Sequence, residues 1–297
     1  MKSKFPYLTL LLAAAALLGL AGCNGSSSSG AMLNLGVADT PVDGAQSVVV
    51  AFTGVDLMGP NGQVSFKFNT EQKIDLLQQQ GTNSASLLTG QSIPAGNYQW
   101  IRLDVDAANS YIITSDGTQH ALTIPSSSQT GLKLVSGFTI AQGSLENFVI
   151  DFNLRKAITQ SNASGTTSFM LTPALRLINM QQVGGISGSA SSTLSIGSTL
   201  ISATTCDPAV YVYPGTVTTL SGFNVSLTGG TAPLTSATLN LNSTTGNYDY
   251  TVGFLAPGTY TLAVTCGADD TAGATTLAFS ATKTATVTAN TATTLTF

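Results

Sequence analysis

The chain has 297 residues, of which 8% are charged and 43% are hydrophobic, and its formal net charge is −4. This apolar content argues against a globally disordered chain, and the length is enough for about two domains. The acidic balance removes the electrostatic basis for nucleic-acid binding, which needs clustered lysine and arginine.

The first thirty residues have the features of an export signal. Lys2 and Lys4 precede an apolar run over 7–21, which is too short to span roughly 30 Å of hydrocarbon. The run ends in Leu20-Ala21-Gly22-Cys23, which resembles the lipobox of bacterial lipoproteins. A plain signal peptide with a chance cysteine is the alternative.

The lipobox resemblance implies that residues 1–22 are removed and that Cys23 becomes an acylated N-terminus. Residues 23–30 then form a Gly/Ser-rich tether. The mature chain keeps eight basic and fourteen acidic residues, so anionic headgroups would repel it and the acyl chains must provide the membrane contact. Asn24 in place of aspartate implies, by analogy with lipoproteins, sorting to an outer membrane, with the leaflet left open.

Residues 31–183 show short apolar alternations separated by turn residues, a pattern typical of an antiparallel β-sandwich. Asn61-Gly62 separates the alternating segments 47–52 and 64–68, which predicts a β-hairpin. Asp116-Gly117 separates 111–114 and 120–124 and predicts a second hairpin. Further strands are expected at 132–135, 147–152, 169–171 and 174–178, and short helical or edge segments at 74–77 and 86–88.

The glycine-rich segment 184–188 is interpreted as a boundary, because the composition changes there. Residues 184–297 carry four acids and a single base, Lys283, and their surface polarity comes from Thr, Ser and Asn. The threonine-rich alternation at 284–288 predicts strands of a second sandwich. Few charges protect its sheet edges, so edge pairing with a partner or with itself is a possible role.

Both predicted domains contain a Pro-Gly turn followed by a tyrosine. The segments are 93–98, ending in Tyr98, and 255–260, ending in Tyr260. Each tyrosine is placed to pack or hydrogen-bond at a sandwich corner. The second segment, with 261–264, resembles carboxypeptidase-regulatory-like or transthyretin-like domains. The predicted fold is therefore all-β, with two antiparallel immunoglobulin-like or transthyretin-like sandwiches at 31–183 and 184–297.

Four short motifs of the first predicted domain occur in the order found in one bacterial family. They are Val37-Ala38-Asp39-Thr40-Pro41-Val42-Asp43, 93–98 leading to 101–103, Ile150-Asp151-Phe152-Asn153-Leu154, and Leu171-Thr172-Pro173-Ala174-Leu175-Arg176. Together they resemble the family called domain of unknown function 4382, which occurs in secreted lipoproteins. The resemblance covers about half of the chain and implies location and fold rather than an activity.

Two cysteines remain once Cys23 is assigned to lipid. Cys206 and Cys266 both lie in the second predicted domain, and a pair in an exported protein predicts a disulfide. Closing a loop of about 60 residues would stabilise the domain by at most roughly 4 kcal/mol. A metal or redox site is the alternative, and no CxxC motif supports it.

The sequence contains few candidates for catalysis, and we expect neither a cofactor nor a resident metal. The single histidine, His120, follows a predicted turn, where a solvated strand residue is expected. Asp104 and Asp106 share a strand face at a spacing of about 7 Å, compatible with an inverting glycoside hydrolase, although any i, i+2 pair shows it. Calcium binding by Asp104, Asp106 or Asp116 is the other alternative.

The same strand contains the best candidate for a binding surface. Alternation over 98–106 places Ile101, Leu103 and Val105 toward the core. Its other face carries Trp100, Arg102, Asp104 and Asp106. An aromatic ring beside charged groups can stack on a sugar or anchor a protein partner, whereas the simpler interpretation is a Trp packed under a loop beside solvated charges.

The sequence thus predicts an exported, lipid-anchored, non-catalytic envelope protein that binds a polysaccharide or a protein. A structural protein that self-associates through its sheet edges is the first alternative, and a carboxylate-dependent glycoside hydrolase is the second.

Overall fold

The structure is a computed structural model that describes residues 30–125, 131–163, 165–197, 199–201, 208–267, 269 and 277–297. Cys23, Cys206 and the predicted signal peptide lie outside these residues. In the described part of the chain, no helix is both long enough and apolar enough to cross a membrane.

The chain is all-β, as the alternating segments predict. Strands β1 to β13 are Gly30–Thr40, Ala45–Gly59, Gly62–Asp75, Ala85–Pro94, Gly96–Tyr98, Trp100–Thr114, Gln119–Thr123, Leu132–Leu134, Phe138–Ile140, Leu145–Asn153, Ile158–Ala163, Thr166–Leu171 and Leu175–Asn179. Strands β14 to β23 are Gly184–Ala190, Ser195–Ile196, Thr199–Leu200, Ala209–Pro214, Thr235–Thr238, Asn240–Leu241, Tyr248–Leu255, Gly258–Thr265, Lys283–Val287 and Ala292–Thr294. Helix α1 spans Leu154–Ala157, and short 3-10 turns span Leu76–Gln78 and Met180–Gln182.

The strands before residue 183 form two facing sheets, which we call the N-terminal part. One sheet has the order β13-β10-β1-β4, and the other has the order β11-β12-β7-β6-β2-β3 with β8 also paired to β6. A small β5-β9 sheet accompanies them. Apolar side chains of the two large sheets form one core, in which the rings of Phe52 and Phe152 meet edge to face at 6.3 Å.

The strands after residue 183 form the C-terminal part. One of its sheets has the order β19-β20-β14-β23, a second has the order β18-β17-β21-β22, and the short β15-β16 pair stands apart. Ile186 and Val252 of the first sheet share a core with Val212 and Leu262 of the second. No described sheet contains strands from both parts, and the predicted domain limits at 183 and 184 stay a prediction.

Both predicted hairpins are present. Strands β2 and β3 pair up to Gly59 and Gly62, and strands β6 and β7 pair Tyr111 with Ala121. The sheets are mainly antiparallel, but β1 pairs with β10, β7 with β12, and β14 with β23 in parallel. Alternation of apolar and polar residues shows which face of a strand is buried, but it does not show the direction of the neighbouring strand. The parallel pairs could therefore not be predicted from the sequence.

The two tyrosine corners close as the sequence predicts. The hydroxyl of Tyr98 donates a hydrogen bond to the carbonyl of Pro94, and that of Tyr260 donates to Ala256, each over 2.8 Å. Burial raises the pKa of Tyr98 to about 12, which keeps this donor protonated at any physiological pH.

Tyr98→Phe and Tyr260→Phe are each expected to lower the free energy of unfolding by about 1 kcal/mol, because each variant loses a part-buried hydrogen bond to a backbone carbonyl. Urea denaturation followed by fluorescence measures the change. Tyr111→Phe is the control, since no described residue accepts a hydrogen bond from the Tyr111 hydroxyl, and a loss as large in that variant would contradict the assignment.

The glycine-rich segment 184–188 is a strand and not only a boundary. It forms most of β14, which lies between β20 and β23. A Cβ at Gly184 or Gly188 would fall within 3.0 Å of the backbone of Thr288 or Leu295, so the neighbouring chain can pass only where side chains are absent. These glycines therefore belong to a sheet, whether or not the predicted boundary also lies here.

Polar contacts connect the two parts. The hydroxyls of Thr40 and Thr235 lie 2.8 Å apart, and the guanidinium of Arg176 donates to the carbonyl of Phe254 over 3.2 Å. Phe254 has a φ of 57° and packs against the apolar cluster formed by Ala38, Val149 and Ile178. A bulky residue in the left-handed region costs energy, so the surrounding contacts must hold it there.

Candidate functional site

Strand β6 places the predicted site residues as alternation requires. Ile101, Leu103 and Val105 are buried in the core, whereas the opposite face is only half-buried. This outer face of the seven-stranded sheet carries Trp100, Arg102, Asp104 and Asp106.

Ion pairs join three adjacent strands on this face around Asp56, whose side chain is completely buried. Asp56 accepts from Arg102 on β6 and, over 3.1 Å, from Lys67 on β3. Asp104 completes the network, with one oxygen 2.5 Å from Lys67 Nζ and the other 3.3 Å from Arg102 Nε. We call these four residues the Asp56 network.

Gly54 makes the Asp56 network possible. It lies between Lys67 and Asp104 in the β3-β2-β6 register, and a Cβ there would approach Lys67 Cδ to 3.0 Å and Asp104 Oδ2 to 3.1 Å. The absent side chain lets the lysine and the carboxylate meet across the middle strand.

The charges of the Asp56 network compensate one another. Burial alone raises the pKa of Asp56, but hydrogen bonds from Arg102, Ser65 and Lys67 outweigh it and hold the pKa below its ordinary value. The carboxylates of this network are therefore engaged with cations, an arrangement that stabilises three strands and does not favour acid-base chemistry.

Asp56→Asn is expected to lower the free energy of unfolding by about 3 kcal/mol at pH 7, because it leaves Arg102 and Lys67 without their shared anion. Since the folded pKa of Asp56 is depressed, its contribution is present above the unfolded value and is lost as the pH falls through the folded value. The difference between wild type and variant should therefore shrink below about pH 3.8. Urea denaturation between pH 7 and pH 2 measures it, and a constant difference would refute the assignment.

Two cationic side chains lie near the Trp100 ring. The ammonium of Lys133, on β8, lies 4.3 Å from the Trp100 ring centroid, and the Arg102 guanidinium lies 5.8 Å from it. Lys133 is exposed and forms no ion pair with a carboxylate in the described ranges. Strands β6 and β8 pair Arg102 with Lys133, which brings the lysine to the ring.

Asp106 and Asp116 accept hydrogen bonds from nearby residues, Asp106 at an irregularity within β6 and Asp116 in the turn that follows this strand. Asp106 accepts from the backbone N–H of Ala108 and from the Asn109 amide, each over 2.9 Å. Asp116 accepts from the hydroxyl of Thr114 and the N–H of Thr118. The structure thus does not bring Asp104, Asp106 and Asp116 together as one ligand set, and the described residues contain no group of three or more His, Cys, Asp or Glu arranged for a metal.

His120 and Cys266 both pack against apolar side chains. The His120 ring lies 5.1 Å from the ring of Phe169 and is half-buried, more covered than a solvated strand residue. Cys266 packs at the edge of the C-terminal core. Because Cys206 lies outside the described residues, the predicted disulfide stays a prediction.

A second polar cluster was missed from sequence, where the two parts meet. Helix α1 buries Arg155, which forms an ion pair with Asp43, lies 5.5 Å from the Tyr211 ring and has a backbone carbonyl that accepts from Asn224. The signal was present in part, since Asp43 belongs to the first quoted motif and Arg155 directly follows the third. Tyr211 and Asn224 lie far along the chain and have no local signature.

A comparison with models of protein families identifies the family of the N-terminal part. Residues 30–173 match the model described as "Domain of unknown function (DUF4382)". This segment is a DUF4382 domain. The match begins with strand β1 and covers the Asp56 network, Trp100 and Lys133, so the candidate site lies within the DUF4382 domain.

Solved structures share only limited similarity with the chain. A leucine-rich repeat protein from Bacteroides thetaiotaomicron is 15% identical, with 91% of this chain and 26% of that chain covered and a TM-score of 0.24. The Bacillus anthracis TIE protein is 11% identical, with 90% and 33% covered and a TM-score of 0.21. The minor pilin of Streptococcus agalactiae is 10% identical, with 89% and 94% covered and a TM-score of 0.18.

These TM-scores lie far below those of chains that share one overall fold. The chain spans about a quarter of the first of these proteins and a third of the second. No curated protein matches the sequence.

Proposed function

We propose that this chain is a non-catalytic binding protein of the cell envelope that holds an acidic polysaccharide on the outer face of its DUF4382 domain. The observation that carries the proposal is the exposed Lys133 ammonium resting on the Trp100 ring. The surface combines an aromatic face with a positive charge that no described carboxylate neutralises.

Trp100 and Lys133 fit a sugar that bears a carboxylate. Pyranose rings present apolar C–H faces that pack on indole, and a uronate carboxylate can pair with the lysine ammonium. The Asp56 network beside them is rigid and internally compensated, so its remaining hydrogen-bond acceptors can orient sugar hydroxyls. A binding surface on paired strands needs little ordering when a ligand arrives.

The proposal assigns no catalysis to this surface. The Asp104 carboxylate contacts Lys67 and Arg102, and Asp106 accepts hydrogen bonds from Ala108 and Asn109, so neither carboxylate is set apart as acid or base. His120 packs beside Phe169. These contacts support the binding role over the hydrolase alternative.

Export and lipid anchoring are part of the same proposal and rest on the sequence. The apolar run and Leu20-Ala21-Gly22-Cys23 support cleavage before Cys23 and acylation there. Mass spectrometry of the mature N-terminus tests this step. We expect a diacyl or triacyl Cys23, and an unmodified chain that begins at Met1 would overturn it.

Trp100→Ala and Lys133→Ala test the binding surface. We expect the wild-type chain to bind a polyuronate more tightly than a neutral glucan, and each variant to lose about tenfold in affinity, since a cation–π pair and a charge contact contribute on the order of 1 kcal/mol each. Affinity electrophoresis with both polysaccharides measures this.

Lys156→Ala is the charge-matched control, because Lys156 is exposed on α1 and forms no ion pair among the described residues. Thermal unfolding of each variant shows whether the fold is intact. Equal affinity of the wild type for the charged and the neutral polymer, or undiminished binding by both site variants, would refute the proposal.

A further inference from the structure

A small cavity lies between the DUF4382 domain and the C-terminal part. Its volume is about 10 Å³, close to that of one water-sized sphere. Asp39, Asp151 and Arg176 line it on one side, and Thr235 and Ser236 line it on the other. We call the contact between the two parts around this cavity the junction.

Two buried side chains that line the cavity have no hydrogen-bond partner among the described residues. Both carboxylate oxygens of Asp39 lack one, and so does the hydroxyl of Ser236, although these residues are only 5% and 4% exposed. Buried polar atoms without partners are rare and costly, and the cost is far larger for a charged group than for a neutral one. Asp39 therefore fits this position much better as a neutral carboxylic acid than as a carboxylate.

The DUF4382 domain supplies no cation that is reserved for Asp39. On β10 and β13, the Asp151 carboxylate accepts from the Arg176 guanidinium over 2.8 Å and 3.2 Å, so the only cation of the lining is engaged in a neutral pair. Asp75, at the end of β3, adds a second negative charge nearby, and Arg155 on α1 offsets it only in part. An ionised Asp39 would thus leave the cavity with a net charge of about −1.

The C-terminal part contributes no charge to the lining. Its residues there are Thr235, Ser236 and 251–254, and none of them is titratable. Burial, followed by the Asp151 carboxylate, raises the pKa of Asp39 well above its ordinary value. The Thr40 backbone N–H lowers this pKa only in part, since it lies outside hydrogen-bond geometry. Packing of the C-terminal part thus covers Asp39 without supplying a counter-charge.

We propose that the junction is a pH-sensitive contact, which is closed while Asp39 is protonated and loosens when Asp39 releases its proton to solvent. The neutral acid adds no charge to the cavity. The carboxylate must recover its hydration, which requires that the end of β1 and strand β18 move apart. The hydroxyls of Thr40 and Thr235, 2.8 Å apart, lie beside Asp39 and Ser236, so this contact would break in the same step.

The direction of the pH dependence follows from the state in which Asp39 ionises more easily. When the junction is open, Asp39 is hydrated and its pKa is close to the ordinary value, whereas closure raises the pKa. The closed junction therefore has its full stability below about pH 4 and loses it as the pH rises toward the raised pKa. Because opening releases one proton, the opening equilibrium should increase about tenfold per pH unit over this interval.

Hydrogen exchange of the full chain, followed by mass spectrometry between pH 5 and pH 9, tests the junction. After correction for the intrinsic exchange rate, we expect the protection of the β18 amides to fall about tenfold per pH unit until the raised pKa is passed. Strand β6 lies inside its sheet, between β7 and β2, and its amides report the opening of the whole domain. They should keep more protection, and an equal loss in both strands would overturn the proposal.

Two neutral variants separate the charge of Asp39 from other effects of pH. Asp39→Asn keeps the shape of the protonated carboxyl group and does not titrate, so the protection of β18 should no longer depend on pH. Asp151→Asn leaves Arg176 as a counter-ion for an ionised Asp39, so the loss of protection at high pH should disappear here too.

Asp116→Asn is the matched control, because Asp116 is an exposed carboxylate in a turn of the same domain, and it should keep the pH dependence of the wild type. Should Asp39→Asn fail to fold, the wild type and Asp151→Asn still decide. The proposal is overturned if the protection of β18 in the wild type is constant or rises with pH, or if either neutral variant keeps the loss. It is also overturned if Asp116→Asn abolishes the loss.

Discussion

Arg155→Met is expected to lower the free energy of unfolding by about 3–5 kcal/mol, the cost of breaking a buried ion pair from one side. Arg155 is 2% exposed, and the substitution removes its ion pair with Asp43. Methionine keeps most of the aliphatic packing, so the measured loss reports the charge and the contact with the Tyr211 ring. Urea denaturation of both proteins at pH 7 provides the comparison.

Lys156→Met is the control for Arg155→Met. Lys156 is the next residue on α1 and is exposed, so its replacement should change the free energy by less than about 0.5 kcal/mol. The double variant Arg155→Met/Asp43→Asn should recover part of the loss, because both charges of the buried ion pair are then removed. A single-variant loss below about 1 kcal/mol would show that the pair contributes little.

Gly188→Ala is expected to destabilise the C-terminal part by about 3 kcal/mol, through the backbone and not through a lost contact. The added Cβ would lie within 3.0 Å of the carbonyl oxygen of Leu295, and no side-chain rotation can relieve a clash with backbone. Thermal unfolding should show a lower Tm.

Gly137→Ala is the matched control for Gly188→Ala. A Cβ at Gly137 would meet only the Tyr98 carbonyl oxygen, at 3.6 Å, which is an ordinary contact distance. This variant should keep or slightly raise the Tm, because alanine restricts the unfolded chain. If both variants unfold at the wild-type temperature, the close approach of the Leu295 backbone to Gly188 in β14 does not contribute to stability.

Local signals accounted for much of the fold. The Asn61-Gly62 and Asp116-Gly117 turns identified both hairpins because a tight turn is determined by adjacent residues. Strand β1 escaped prediction, since its pairing with β10 joins residues more than a hundred positions apart. The glycines of β14 predicted a boundary, because the sequence alone does not show that neighbouring backbone passes close to them.

The same distinction separates the site residues that were predicted from those that were not. Alternation placed Trp100 and Arg102 on the outer face because both lie on one strand. Lys133 joins them through the β6–β8 pairing, which no local pattern announces. Asp39 was visible only as part of a motif, and its place with Ser236 in the lining of one cavity requires the packing of both parts.

The parallel pairing of β1 with β10 has a consequence for synthesis. Both strands can join only after residue 153 has been made, more than a hundred residues after β1 is complete. At 5–20 residues per second, the interval is on the order of ten seconds. Throughout it, one edge of the nascent first strand stays open to foreign strands, which makes aggregation a greater hazard during translation than after folding is complete.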